Sequence, residues 1–190
     1  MIRKATQDDI PAIAAIYERI HDREEAGAGA TGWKRGVYPT EATARAALNA
    51  GDLFVDERGG RIAAAARINR EQVPEYALAR WQCAAPADKI MVLHTLTVDP
   101  DAAGQGVGTG FVAFYEQYAR AHGCVCLRMD TNEINAPARA LYKRLGYREA
   151  DIVPCDFNGL GRIRLVCLEK RLGAVSHPQP LSPDANRPAR

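Results

Sequence analysis

The sequence predicts an α/β (mixed α+β) fold in which a central mixed sheet is flanked by helices, all within one domain over residues 1–172. Three observations carry this. Segments of strand and helix period follow one another in the order β-α-α-β-β-β-α-β-α-β, with no internal repeat. The 190 residues suit one domain with a real core. A glycine-rich turn stands between a strand pattern and a helix pattern, late in the chain.

Each element has its own signal. Ile2 to Thr6 reads as a short strand. Asp8 is a candidate N-cap, Pro11 falls in the permissive first turn, and Ile10, Ile13, Ile16, Tyr17 and Ile20 recur at helical spacing. The glycines from Gly27 to Gly36 break the pattern. Thr40 caps a second helix that runs through Ala50 and ends at Gly51. Leu53 to Asp56 and Ile62 to Ile68 read as strands joined by the Gly59-Gly60 turn. Asn69 to Lys89, with Pro74, Tyr76, Trp81 and Pro86, has no clean period and reads as a long connection. Ile90 to Val98 is a strand stopped by Asp99-Pro100. The helix after the glycine turn runs to about Ala121 and buries Val107, Phe111, Phe114, Tyr115 and Tyr118. Cys124 to Met129 is a strand. Asn135 caps a helix carrying Ala138, Leu141, Tyr142 and Leu145, which Gly146 terminates. Ile163 to Glu169 is the last clear strand. The segment 173–190 holds four prolines and almost no large apolar residue, so it reads as a flexible tail.

A net charge of +2 gives no general reason to expect nucleic acid or an anionic membrane as partner. The N-terminus turns acidic at Asp8-Asp9, where a signal peptide needs an apolar run, and no apolar stretch is long enough to span a bilayer. A cytoplasmic protein is expected. The five cysteines, Cys83, Cys124, Cys126, Cys155 and Cys167, are odd in number and include no Cys-x-x-Cys, which argues against a disulfide framework or a zinc site. They read as reduced packing thiols, with Cys124 and Cys126 sharing one strand face. No metal site is expected.

Ala103-Gly104-Gln105-Gly106-Val107-Gly108-Thr109 is the most informative stretch. Glycines let the backbone turn tightly and approach a ligand closely. A helix start leaves amide N–H groups unpaired and favours an anion through its dipole. The turn therefore suits a phosphate or pyrophosphate, although such a turn can also be only a turn. It carries no Gly-Lys-Ser/Thr and lacks the Gly-x-Gly-x-x-Gly spacing, so neither a P-loop nor a dinucleotide-binding turn is expected.

Leu96-x-Val98-x-Pro100 followed by Gly104-x-Gly106-Val107-Gly108 resembles motif A of the GNAT N-acetyltransferases. Asn135-x-x-Ala138-x-x-Leu141-Tyr142-x-x-x-Gly146-Tyr147 resembles their motif B. The resemblance covers about Ile2 to Leu172 in element order, with its specific residues between His94 and Tyr147. It implies acetyl-CoA as acyl-donor cosubstrate, with an amine as acceptor. It also implies a bulged strand whose Leu96, Thr97 and Val98 backbone meets the thioester and pantetheine, the Val98 N–H polarising the thioester carbonyl. The pyrophosphate would lie on the amides of Gly104, Gln105, Gly106, Val107, Gly108 and Thr109. Ala103 departs from the Arg or Gln often found there, which leaves the phosphates to backbone amides with Gln105 as a helper. Tyr142 matches the tyrosine that protonates the coenzyme A thiolate; its other reading is a packed ring. Asn135 can cap its helix, contact the cofactor, or both.

An alkylammonium has a pKa near ~10.4, so transfer to an amine needs a proton acceptor. His94, Leu96 and Val98 alternate along the strand, which places all three on one side. His94-x-Leu96-x-Val98 is similar to the stretch in arylalkylamine acetyltransferases, where the histidine joins a proton relay. His94 is thus the candidate base, against the alternative of a satisfied core histidine. On the acceptor side Trp33 and Tyr38 line a cleft or anchor packing, and Tyr76 and Trp81 could add to it. Asp130 attracts a cationic amine or serves as a turn acid; Glu133 is a weaker candidate. The expected substrate is a small-molecule amine. The alternatives are a protein N-terminal acetyltransferase of the ribosomal-protein type and a non-catalytic acyl-CoA-binding module. A homodimer is compatible with the sequence.

Overall fold

The computed structural model describes residues 1–157 and 159–173. The tail expected over 173–190 lies, from 174 onward, outside the described residues. Seven strands form one sheet in the order β1-β2-β3-β4-β5-β7-β6. They are β1 (Ile2–Lys4), β2 (Leu53–Arg58), β3 (Arg61–Asn69), β4 (Ile90–Val98), β5 (Cys126–Asn132), β6 (Arg148–Asp156) and β7 (Arg162–Arg171). Neighbours pair antiparallel except β4 and β5, which are parallel. Four helices complete the fold: α1 (Ile10–Glu25), α2 (Glu41–Asn49), α3 (Val107–Ala121) and α4 (Ala136–Arg144).

The strand period sorts the core onto two faces. Leu53, Val55 and Ala65 pack with Ile10, Ile13 and Tyr17 of α1 and Ala44 and Ala47 of α2. Phe54, Ala64, Ala66, Met91, Leu93, Leu127 and Met129 pack on the opposite face with Phe111, Val112 and Tyr115 of α3 and Tyr142 of α4. A third cluster, on the α1/α2 side, gathers Ile90, Val92, Cys126, Leu165 and Cys167 under Tyr76 and Cys83. The long connection 70–89 is therefore a cover for that end of the sheet. Its short 3-10 turn at Pro74–Leu78 aims Tyr76 inward. Tyr115, fully buried, donates to the carbonyls of Met91 (2.6 Å) and Arg128 (3.0 Å), bracing β4 against β5.

Three expectations are corrected. β6 is a full strand that the sequence hides, because Pro154 and a charge-rich start break its pattern; as an edge strand it tolerates both. Cys124 precedes β5 and packs in the α3 cluster, whereas Cys126 opens the strand and faces the cover, so the two do not share a face. The thiols are not all reduced: Cys83 and Cys126, with Cα atoms 6.1 Å apart, form a disulfide, and Cys124, Cys155 and Cys167 are free and buried. Only folding of the connection over β5 brings this pair together, which spacing in the chain does not reveal. No helix among the described residues is long and apolar enough to cross a membrane.

Candidate active site

The site begins with one extra residue in β4. Thr97 pairs with Ala65 but His94 pairs with Arg67, so the register slips and Ala66 faces two residues, Thr95 and Leu96. Thr95 takes φ 52°, a left-handed conformation that is costly for a β-branched residue. The bulge turns β4 away from β5. Their pairing covers only Ile90–Leu93 against Cys126–Met129, and beyond it a notch opens between the strands.

The bulge also reverses the side-chain alternation. Met91 and Leu93 face the α3/α4 cluster, and so do Leu96 and Val98. His94 follows the other parity, with Ile90 and Val92. The expectation that His94, Leu96 and Val98 share a side is therefore wrong, because it assumed an unbroken strand. Two cavities result, one on each face. The first, about 630 Å³, is lined by Leu96, Thr97, Val98, the glycine turn, Asn135 and Tyr142. The second, about 750 Å³, holds His94 and Arg67. Tyr38, Thr95, Asp130 and Phe157 line both and form the wall between them at the notch.

In the first cavity, the Asp99 N–H bonds to the Ala63 carbonyl at 2.8 Å, and Ala63 and Asp99 continue the Ala64–Val98 register. Antiparallel alternation then directs the Val98 N–H away from β3, toward the notch. Buried Asp99 ties the end of β4 to α1 through Arg19 (2.7 Å) and caps the next turn by accepting from the Asp101 N–H (3.1 Å). Gly104 (φ 77°) and Gly106 (φ 72°) take the left-handed conformation, and a Cβ on either would meet nothing within 4 Å. A Cβ on Gly108 would lie 3.3 Å from Leu141 of α4. Among the described residues, the N–H groups of Gly104, Gly106, Val107, Gly108 and Thr109 carry no hydrogen bond. This open row of amides at a helix start fits a polyanion. The Gln105 side chain is not part of it: it folds back to the Asp101 carbonyl (3.3 Å) and lies outside the cavity.

Asn135 caps α4, accepting from the Ala138 N–H at 3.2 Å, and also lines the cavity. Tyr142 is buried beside Tyr147, ring centroids 6.1 Å apart, and its hydroxyl has no partner among the described residues. Burial, aided by nearby Asp130, raises the Tyr142 phenol well above its ordinary range. It is a neutral donor facing the cavity.

At the wall, the Tyr38 hydroxyl and Thr95 Oγ1 share a hydrogen bond. Trp33 and Phe157 stand edge-on to the Tyr38 ring at 5.7 and 5.0 Å. Asp130 Oδ2 accepts from the Tyr76 hydroxyl at 2.7 Å. Burial outweighs that bond and pushes the carboxyl up to about 6. Trp81 lines neither cavity; it stacks on the Arg128 guanidinium (4.0 Å) and donates to the Tyr76 carbonyl (2.7 Å). Tyr76 likewise acts on the wall only through Asp130. Glu133 pairs with Arg164 (3.3 Å).

On the second face, the His94 Nε2 meets Asn69 Oδ1 (3.0 Å) and the Glu71 carbonyl (3.1 Å). Asn69 Oδ1 also accepts from the Glu71 N–H (3.0 Å), while Asn69 Nδ2 donates to Asp52 (2.9 Å). Both partners of Nε2 are thus acceptors, so the proton sits on Nε2 and Nδ1 carries the lone pair. Burial, then Arg67, holds the imidazole down to about 4. The sequence did not mark Thr95, Arg67, Asn69 or Phe157. The bulge carries no glycine or asparagine to announce it, and the others reach the site only across strands.

The chain matches the acetyltransferase (GNAT) family over residues 14–147. It is 36% identical over 61 residues to an N-acetyltransferase of Bacillus subtilis, covering 32% of this chain and 41% of that one. It is 32% identical over 65 residues to an N-acetyltransferase of Methanocaldococcus jannaschii, covering 34% and 29%. The matched stretch thus spans less than half the length of either relative. The fold is that of a GNAT-family acetyltransferase from Streptococcus agalactiae (TM-score 0.76, 20% identity, 91% of this chain and 95% of that one). It is also that of yncA from Salmonella typhimurium, solved with its cofactor acetyl-CoA (TM-score 0.61, 20% identity, 94% and 96%). A ribosomal-protein-alanine N-acetyltransferase from Brucella melitensis shares it too (TM-score 0.65, 22% identity, 90% and 99%). With its bulged strand, notch and amide-lined turn, this chain belongs to the GNAT acetyltransferase family.

Proposed function

We propose that the protein is an acetyl-CoA-dependent N-acetyltransferase acting on a primary amine of a small molecule. The observation that carries the reading is the wall at the notch: one cavity on each face of the sheet, meeting at Asp130, Thr95 and Tyr38. Acetyl-CoA, when bound, supplies an acyl thioester. The free amides of Gly104 and of Gly106 to Thr109 would take its pyrophosphate, and Leu96, Thr97 and Val98 with Asn135 would flank the pantetheine. The Val98 N–H, aimed at the notch, would polarise the thioester carbonyl. The amine would enter from the second cavity, whose volume of about 750 Å³ and roof of Tyr38 and Phe157 suit a small ligand better than a protein surface.

Asp130 is the first proton acceptor in this reading. It is ionised at neutral pH, stands at the notch and attracts the ammonium. His94, held near 4, is too weak a base to take that proton alone; its Nδ1 accepts a hydrogen bond from the amine or a bridging water. The neutral amine attacks, the N–C bond forms and the C–S bond breaks. Tyr142 donates its proton to the departing sulfur; the first ammonium proton leaves through Asp130 to water before attack, and the second, lost from nitrogen as the amide forms, restores the Tyr142 hydroxyl. A non-catalytic acyl-CoA-binding module would have no use for an unpaired phenol in one cavity and a raised carboxyl between the two. The test is a panel of primary amines with acetyl-CoA, reading free thiol release and the mass of the acetylated product. Tight acetyl-CoA binding with no thiol release for any amine would leave the binding-module reading.

A further inference from the structure

We infer that the acceptor is an amine that also carries an anionic group, as in a free amino acid, and that Arg67 recognises that group. The inference rests on the acetyl-transfer reading and names its substrate class. Arg67 sits on β3 directly across from His94 and lines the second cavity. Its guanidinium is under-used: Nη2 meets Glu71 at 2.7 Å and Asp52 at 3.4 Å, Nε is buried without a partner, and Nη1 has none among the described residues. Glu71 is 69% exposed, so water screens its pairing and it competes weakly for the cation. The opposite pole of the same cavity is Asp130. The cavity therefore has a carboxyl at the notch, on β5, and two strands away on β3 the guanidinium of Arg67, whose Nη1 is left unfilled by Glu71 and Asp52; Val37, Ala46, Leu53 and Val73 give it an apolar lining.

A zwitterion fits that polarity. The ammonium would lie on Asp130, next to the thioester, and the carboxylate on Arg67, with a hydrocarbon side chain against the apolar wall. A simple alkylamine would leave the free Arg67 N–H unfilled. A diamine or polyamine would bring a second cation toward it. A peptide N-terminus carries an amide where the cavity offers the cation.

The experiment compares kcat/KM for a free amino acid with that for its decarboxylated amine, its amide and a short peptide beginning with the same residue, across several side chains. The expected result is a preference of about 10–100-fold for the free amino acid, the worth of a hydrogen-bonded charge. Arg67→Gln should collapse that ratio toward one, Arg67→Lys should retain part of it, and Glu71→Gln should raise it by freeing the guanidinium. Because each ratio is taken on one preparation, a folding defect lowers both terms and cannot imitate the effect. Equal or better turnover of the decarboxylated amine, or of the peptide, would overturn the inference while leaving acetyl transfer intact. Failure of every amine to release thiol would strike the transfer reading instead.

Discussion

In the proposed mechanism Tyr142 and Asp130 divide the proton work between two side chains whose acidities the fold pushes in the same direction. Tyr142→Phe keeps the ring and removes the donor. The expected outcome is a fall in kcat of about 10²–10⁴-fold with little change in the Michaelis constant for acetyl-CoA, read by steady-state kinetics. Asp130→Asn should abolish the ascending limb of kcat/KM, which in the unmodified protein should have its midpoint at about 6. Stability carries the same signature. The folded protein keeps the Asp130 proton up to about 6, against an ordinary 3.8, so this group's contribution weakens as pH rises through that window. His94, at about 4 in the fold against an ordinary 6.5, acts oppositely: the unfolded chain binds the extra proton, and stability rises with pH. The two effects offset one another between pH 4 and 6. Relative to the unmodified protein, the melting temperature of Asp130→Asn should therefore climb from pH 4 to 6, whereas that of a His94→Gln protein should decline. Melting curves at a series of pH values separate the two.

The glycine turn and the bulge are the elements on which the site depends, and they differ in how far the sequence announces them. The turn is legible because a backbone that twice needs positive φ leaves glycines behind, at Gly104 and Gly106. Gly108 is there for another reason, contact with Leu141, which spacing alone does not distinguish. The two roles predict different losses. Gly106→Ala puts a methyl into open space and costs the left-handed strain of about 1 kcal/mol, so its larger effect should be on acetyl-CoA affinity, measured by calorimetry. Gly108→Ala crowds α4, so its larger effect should be on the melting temperature, by overpacking worth about 1–3 kcal/mol. The bulge left no such trace. Thr95 looks like an ordinary strand residue in the sequence, and its φ of 52° and the pairing of Arg67 with His94 expose the slip only in the fold. For that reason His94 was legible as a site residue while its side of the sheet was not. Asp130 was legible as a candidate because it ends the apolar run, but its proposed role as base rests on a setting that includes the Tyr76 hydroxyl, delivered by a connection without a period.

Across the whole molecule, that connection is fixed by the Cys83–Cys126 disulfide and by Glu169, which accepts the N–H groups of Gln82 and Cys83 at 3.0 Å each. A bridge closing a loop between cysteines 43 positions apart should contribute up to about 4 kcal/mol by restricting the unfolded chain. Melting with and without dithiothreitol should show the reduced protein to be the less stable. Peptide mass mapping should find Cys83 joined to Cys126 and the thiols of Cys124, Cys155 and Cys167 open to alkylation after unfolding. Reduction should also loosen the Tyr76 contact with Asp130, so turnover should fall at temperatures well below the melting point.

The slip in β4 has one more consequence, for how such a protein can be re-engineered. Thr95 lines both chambers, His94 ahead of it lines one, and Leu96, Thr97 and Val98 after it line the other, so in the proposed reading donor handling and acceptor choice are written on separate stretches of one strand. Changes at 67, 71 and 94 have no partner in common with changes at 104–109, and their free energies should add. A library randomised at the first three positions should therefore yield altered acceptor spectra with the acetyl-CoA Michaelis constant left where it was.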